Sequence, residues 1–167
     1  MRTAFILAAL LLLGGCAGYG AALVAGESTE SDVVATLGEP TAVKDAANGD
    51  RTLWYSKLPF GRESYAARLD PRGTLVSFDQ RLTEANFARL RPGTSTADDV
   101  FEILGPPWRR FKYPLKDLEA WEYPIRTWPE PQTLYVDVSP DGVVRSVYKL
   151  FDRDRADFPE FGFGFGF

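Results

Sequence analysis

The chain contains no histidine, one cysteine and one methionine. Without histidine there is no Ser-His-Asp or Cys-His catalysis and no imidazole ligand for a metal. A single cysteine forms neither an internal disulfide nor a thiolate zinc site. Excess basic charge is missing too: 19 Lys and Arg stand against 23 Asp and Glu, a net charge of −4. Nucleic-acid binders carry a basic footprint, so that partner is not expected. The remaining composition suits a packed core, with 45% hydrophobic and 14% aromatic residues. No cofactor is called for.

The amino terminus reads as an address. Met1-Arg2 precedes an unbroken apolar run from Ala4 to Leu13, followed by Leu13-Gly14-Gly15-Cys16-Ala17. The run is too short to span a bilayer as a helix, which takes roughly 20 apolar residues, and has the length of a secretory signal core. Small residues directly before the lone cysteine resemble a bacterial lipobox. That resemblance implies a signal peptide over residues 1–15, cleavage before Cys16, and acyl chains such as palmitate on Cys16. Several chains on one residue anchor stably, where one chain is marginal. By the same resemblance, Ala17 in place of an inner-membrane retention Asp implies the outer membrane, facing the periplasm. Residues 16–25 then serve as a lipidated tether.

The body is one module used twice. Residues 26–40 read GESTESDVVATLGEP and residues 93–107 read GTSTADDVFEILGPP, eight identities in fifteen positions at an offset of 67. The same offset pairs Trp54 with Trp121, and a shift of two more residues pairs Asp70-Pro71-Arg72-Gly73 with Ser139-Pro140-Asp141-Gly142. The modules are expected over 26–82 and 83–152, with no linker between Leu82 and Thr83, and packed together, because about 67 residues make only a marginal core alone.

Each module opens with a helix whose ends are written in the chain. Thr29 and Thr96 are N-cap residues with Asp32 and Asp99 three positions on, the spacing of a capping box. Asp98-Asp99 is therefore read as cap and dipole chemistry, not as a catalytic carboxylate pair. Gly38 and Gly105 fit the left-handed C′ position, and Pro40 and Pro107 forbid continuation. A second helix, capped by Thr83 with Phe87 and Leu90 on one face, precedes the second of these. Before the first, Tyr19 to Ala25 is either a frayed helix or a tether. Strands are expected over residues 53–58, 65–69 and 75–79, then 120–124, 133–138 and 143–151, joined by Pro-x-Gly turns. The expected fold class is α+β: two tandem modules, each a helix or helix pair followed by a three-stranded antiparallel sheet. Trp54 and Trp121 take equivalent strand positions and are read as core.

The pattern Gly-x-Ser/Thr-x-x-x-Val-x-x-x-Leu-Gly-x-Pro, then Trp, then an Asp/Ser-Pro-x-Gly turn, resembles the SmpA/OmlA (BamE-like) lipoprotein family. Both copies carry it, through Gly26, Thr29, Val33, Leu37, Gly38, Pro40 and Trp54, and through Gly93, Thr96, Val100, Leu104, Gly105, Pro107 and Trp121. The likeness covers residues 26 to 151, and the lipobox matches as well. It implies a non-enzymatic scaffold of the outer membrane that binds barrel-assembly proteins. The doubling departs from that family and is similar to the β-lactamase inhibitory proteins. The alternative function is accordingly an inhibitor-like protein that blocks a periplasmic or extracellular enzyme.

Two segments are candidate binding surfaces. Residues 106–131 concentrate basic and aromatic side chains, above all Trp108, Arg109, Arg110, Tyr113 and Trp128. Arg and Trp are enriched in interface hot spots. The competing reading is a hairpin whose rings bury and whose Arg and Lys pair with Asp117, Glu119 and Glu122. The second segment is the tail, residues 153–167, with Phe161, Phe163, Phe165 and Phe167 at period two. In an extended chain these rings share one face. Alternating Gly suits a flexible low-complexity end, yet a terminal Phe with alternating apolar residues resembles the signal on barrel-assembly substrates. No half of the chain is specialised for a polyanion: residues 26–82 hold seven basic and nine acidic residues, residues 83–152 nine and eleven.

Overall fold

The computed structural model describes residues 18–152. The expected signal peptide over residues 1–15, Cys16 and the Phe/Gly-rich tail lie outside the described residues. The chain forms α1 (Glu30–Leu37), β1 (Ala42–Asp45), β2 (Arg51–Ser56), β3 (Ser64–Leu69), β4 (Leu75–Gln80), α2 (Glu84–Phe87), α3 (Ala97–Leu104), β5 (Arg109–Lys112), β6 (Glu119–Ile125), β7 (Gln132–Val138) and β8 (Val144–Phe151). The strands make two four-stranded sheets in the orders β1-β2-β3-β4 and β5-β6-β7-β8. The fold is an α+β mix. The described residues divide into two compact units, one of residues 18–55 and 66–79, the other of residues 56–65 and 80–152.

The expected three-stranded sheets are corrected to four. The added strands are β1 and β5, whose sequences are AVKD and RRFK. Both are short, lie at a sheet edge and carry charge. Edge strands are kept short and charged to discourage further pairing, and that same composition hides them from a search for apolar alternation. The second helix pair is also smaller than expected. Thr83 does cap α2, accepting from the Asn86 N–H at 3.3 Å, but α2 is a single turn. Residues 19–25 form turns rather than a helix.

The motif residues explain why each unit is built alike. At α1 the Thr29 hydroxyl accepts from the Asp32 N–H at 3.3 Å, while the Asp32 carboxylate accepts from the Thr29 N–H at 2.8 Å. At α3, Thr96 and Asp99 repeat this at 3.2 and 2.8 Å. Gly38 and Gly105 end the helices not in the expected left-handed helical conformation but at φ 85° and 84° with extended ψ, a region open essentially to glycine alone, so the chain leaves each helix straight into an extended segment. The Gly-x-Ser-Thr stretch before each helix lies against the last strand of its sheet. Gly26 N–H donates to Leu75 O and Leu75 N–H to Ser28 O, both at 2.8 Å; Gly93, Val144 and Ser95 make the same pair of bonds at the same distance. The spacing shared by the two copies thus ties each helix start to its own sheet, and Thr29 bridges Thr74 as Thr96 bridges Val143.

In the second unit, Val100, Ile103 and Leu104 of α3 join Phe87, Trp121, Tyr123, Ile125, Leu134, Val136, Val138 and Val144 in one buried cluster. These strand residues alternate along β6 and β7, so they mark the helix-facing side of the sheet. In the first unit Val33, Leu53, Trp54, Tyr55, Ala67, Leu69 and Leu75 are buried.

One expectation about the repeat is overturned. Trp54 and Trp121 are both buried, at 1% and 5% exposed, but they are not equivalent. Trp54 pairs with Ala42 and Leu53 with Val43. In the second sheet Arg109 pairs with Glu122 and Arg110 with Trp121. The offset of 67 holds through β1 and β5, so Trp121 takes the place of Leu53, and Glu122 that of Trp54. The cause is hairpin length: residues 46–50 join β1 to β2, five residues, and residues 113–118 join β5 to β6, six. A one-residue change in a strand's frame moves a side chain to the other face.

Candidate functional site

The segment 106–131 comprises β5, the turn after it, β6 and the loop that follows. The sheet sorts its side chains by face. On the helix side, Trp121 lies in the core with its indole N–H donating to Glu119 at 2.8 Å, and the Arg110 guanidinium sits 3.6 Å from the Trp121 ring centroid. Tyr123, fully buried beside them, donates its hydroxyl to Gly105 O at 3.0 Å. Burial pushes the Tyr123 phenol well up from its ordinary pKa.

The other face is polar and ordered in rows. Across β5, β6, β7 and β8 the register sets Arg109 opposite Glu122, Glu122 opposite Tyr135, and Tyr135 opposite Tyr148. Arg109 binds Glu122 with two parallel bonds, 2.9 Å from Nε and 3.1 Å from Nη2. Glu122 is 1% exposed, whereas the Arg109 side chain keeps 37% of its surface in solvent and lies 5.0 Å from the half-buried Trp108 ring. A bidentate charge-assisted pair is what makes a fully buried carboxylate tolerable. Tyr135 and Tyr148 stack at 5.3 Å with rings 8° apart.

The next row holds Phe111, Ala120, Asp137 and Ser146. Tyr113 reaches into it from the turn: its hydroxyl donates to Asp137 at 3.1 Å and lies 2.7 Å from the Tyr148 hydroxyl, while Ser146 donates to Asp137 at 2.5 Å. Burial first, then the Tyr148 hydrogen bond and the Asp137 charge, raise the Tyr113 phenol far above its usual range; burial also raises Tyr148. The Tyr113 hydroxyl thus joins the Tyr148 phenol to the Asp137 carboxylate in one hydrogen-bonded cluster. Among the described residues no group of His, Cys, Asp or Glu is placed to hold a metal ion.

Beside Tyr113, the turn between β5 and β6 and the turn between β7 and β8 enclose an open cleft of about 710 Å³, lined by Lys112, Leu115, Lys116, Leu118 and Trp121 among others. Trp128 is elsewhere. It lies past the far end of β6, on the loop 126–131, and is 93% exposed. Of the five residues expected to form one surface, Trp108, Arg109 and Tyr113 belong to the polar face or its margin, Arg110 lies on the helix side, and Trp128 stands apart. The competing hairpin reading accounts for Arg109 and Trp121, not for Trp128.

Sequence reasoning passed over a second loop. Residues 57–63, joining β2 to β3, group with the second unit. Arg62, at φ 54°, donates to the carbonyls of Ile125 and Gln132 at 3.4 and 3.3 Å and pairs with Asp152. A non-glycine residue at positive φ persists where its surroundings fix it, and here three partners hold the guanidinium. Phe60 in this loop is 89% exposed. No signal short of the fold links residues 60 and 128. The polar row was more nearly legible, because Tyr135 and Asp137 alternate with Leu134, Val136 and Val138.

No family model and no curated protein matches the chain. Among solved structures it is similar to a DUF4309 family protein, YjgB, from Bacillus subtilis, at 22% identity over 77% of this chain and 82% of that one, with a TM-score of 0.31. No function is carried over from that likeness. No helix among the described residues is long and apolar enough to cross a membrane.

Proposed function

We propose that this chain is a non-enzymatic lipoprotein, anchored through Cys16 in the outer membrane and facing the periplasm, whose doubled SmpA/OmlA-like module is a protein-binding scaffold in or near barrel assembly. The observation that carries this reading is the twice-used motif: Gly-x-Ser-Thr and Leu-Gly-x-Pro make the same capped helix bonded to the same final strand in both units. What supports a binding role over catalysis is the state of the polar groups. Asp137 and Glu122 are engaged by Tyr113, Ser146 and Arg109. Exposed Trp128 and Phe60 are the kind of aromatic anchor that interfaces use. The second reading is an inhibitor-like protein that presents those exposed aromatics to a periplasmic or extracellular enzyme.

The test is photocrosslinking in the native host with the reactive residue at position 128, followed by identification of the partner. Barrel-assembly components are expected. A hydrolase captured instead supports the inhibitor reading and overturns the first. The anchor is tested separately: Cys16→Ser should leave the precursor unprocessed and unlipidated, and a processed, membrane-bound Cys16→Ser protein contradicts it.

A further inference from the structure

Two loops of the second unit lie side by side. Arg126 donates to Gly61 O at 3.3 Å and stands 3.3 Å from Glu63, while Arg62 reaches back to the carbonyls of Ile125 and Gln132. These bonds hold the loops 57–63 and 126–131 together by their charged and backbone groups. Each loop nonetheless leaves one large ring in water, Phe60 at 89% and Trp128 at 93% exposed. Exposed apolar side chains scattered singly are ordinary; two on neighbouring loops form the start of a patch.

The chain leaves the described fold at the same place. Asp152 is 7% exposed; its N–H donates to Pro131 O at 3.1 Å, its carboxylate accepts from the Thr133 hydroxyl at 2.8 Å, and it pairs with Arg62. Asp152, the last described residue, is therefore bonded both to the loop that carries Phe60, through Arg62, and to the loop that carries Trp128, through Pro131. Fifteen residues follow, 153–167, among them Phe158, Phe161, Phe163, Phe165 and Phe167. Fifteen residues reach up to ~50 Å when extended, so length does not limit contact. A segment tethered this closely meets its neighbour at an effective concentration on the order of millimolar. Aromatic rings prefer other rings in offset or edge-to-face contact, and the glycines between them remove steric bars to turning back.

We propose that the carboxyl-terminal segment 153–167 docks on Phe60 and Trp128, ring against ring, and covers them. The inference does not depend on the barrel-assembly reading. Tail and patch are then one element: a partner that takes the Phe-rich end also uncovers the two loop aromatics.

The experiment is fluorine NMR on the full chain with fluorotryptophan incorporated. Trp128→Phe assigns the Trp128 resonance. The probe variant keeps the full length and replaces Phe161, Phe163, Phe165 and Phe167 by Ser. The expected result is that Trp128 moves and becomes more solvent-exposed in the variant, by its water-to-deuterium-oxide shift, while the other tryptophan resonances stay in place. Phe60→Ser, with the tail intact, should remove part of the same shielding. The effect should be independent of protein concentration. Equal shift and exposure of Trp128 with and without the phenylalanines overturns the proposal, and so does shielding that vanishes on dilution, which assigns the patch to a second copy.

Discussion

In the first sheet Ala42 faces Trp54 across the strands; in the second, the same register position sets Arg109 against Glu122. The framework around these pairs is shared down to the capping boxes and the bonds from Gly26 and Gly93. One extra residue in the hairpin 113–118 separates them. It moves the second tryptophan to the helix-facing side and leaves its former place to a buried carboxylate. Residue identity at a fixed offset and structural equivalence thus diverge within a single chain. The first unit fills that place with a large apolar ring. The second fills it with charge and extends the polarity along the row to Tyr135 and Tyr148. The two units thus share the capped helix and differ at this sheet position, a ring in one and an ion pair in the other.

Replacing either tryptophan should have the largest effect. Trp54→Ala and Trp121→Ala are each expected to lower stability by ~3–5 kcal/mol, the cost of emptying a buried aromatic site, measured by urea unfolding of the full chain. A loss below ~1 kcal/mol at one position would show that one face is not packed as described, since surface substitutions stay near that scale.

Arg109→Ala comes next. It strands Glu122, which is 1% exposed, and removing one partner of a buried pair costs ~3–5 kcal/mol. The partial exposure of Arg109 places this change at the lower end. The corresponding position in the first sheet is already alanine, so nothing like this charge penalty exists there.

The caps should be matched and smaller. Thr29→Ala and Thr96→Ala are each expected to cost ~1 kcal/mol. Equal losses would confirm that the two helix starts are equivalent where the two tryptophans are not. The Thr29 backbone and side-chain hydrogen bonds hold the Asp32 carboxyl below its ordinary value. Its contribution is therefore present above the unfolded carboxylate pKa and lost as pH falls through the lower folded value. Asp32→Asn should flatten the acid side of the stability profile, read from unfolding midpoints between neutral pH and pH 3. An unchanged acid slope would show that Asp32 does not titrate against folding.

The smallest effect is expected at the hairpin itself. Leu115 is 97% exposed, and the five-residue turn 46–50 closes the matching hairpin in the first unit. Deleting Leu115 should shorten the turn to the five residues of its counterpart, keep the pairs of β5 and β6, and change stability by less than ~1 kcal/mol, because loop closure depends only weakly on length. A collapse of stability would mean that the sixth turn residue is needed to close the hairpin on the pairs Arg109–Glu122 and Arg110–Trp121.

Much of the fold was legible because its signals are local. Thr29, Asp32, Gly38 and Pro40, with their counterparts 67 residues on, declare a helix without reference to anything distant. Pro-x-Gly turns did the same for the β3–β4 and β7–β8 hairpins. The short edge strands were not legible, since four residues, half or more of them charged, are too few to show a periodicity, and their pairing is decided by the neighbouring strand. The site was less legible still. Composition picked out residues 106–131, but strand register divided them between two faces. The nearness of Phe60 to the loop of Trp128 depends on Arg62 and Arg126, contacts made 63 to 70 residues apart in the chain.

The double-mutant cycle at Arg109 and Glu122 tests the divergence of the two sheets most directly. Arg109→Ala, Glu122→Gln and the double variant are compared by equilibrium unfolding of the full chain. The two sites should couple by at least ~1 kcal/mol, with the double variant more stable than Arg109→Ala alone, because no ionised carboxylate is then left buried. Additivity within ~0.3 kcal/mol would contradict the pairing, and with it the claim that the second sheet holds an ion pair where the first holds a tryptophan.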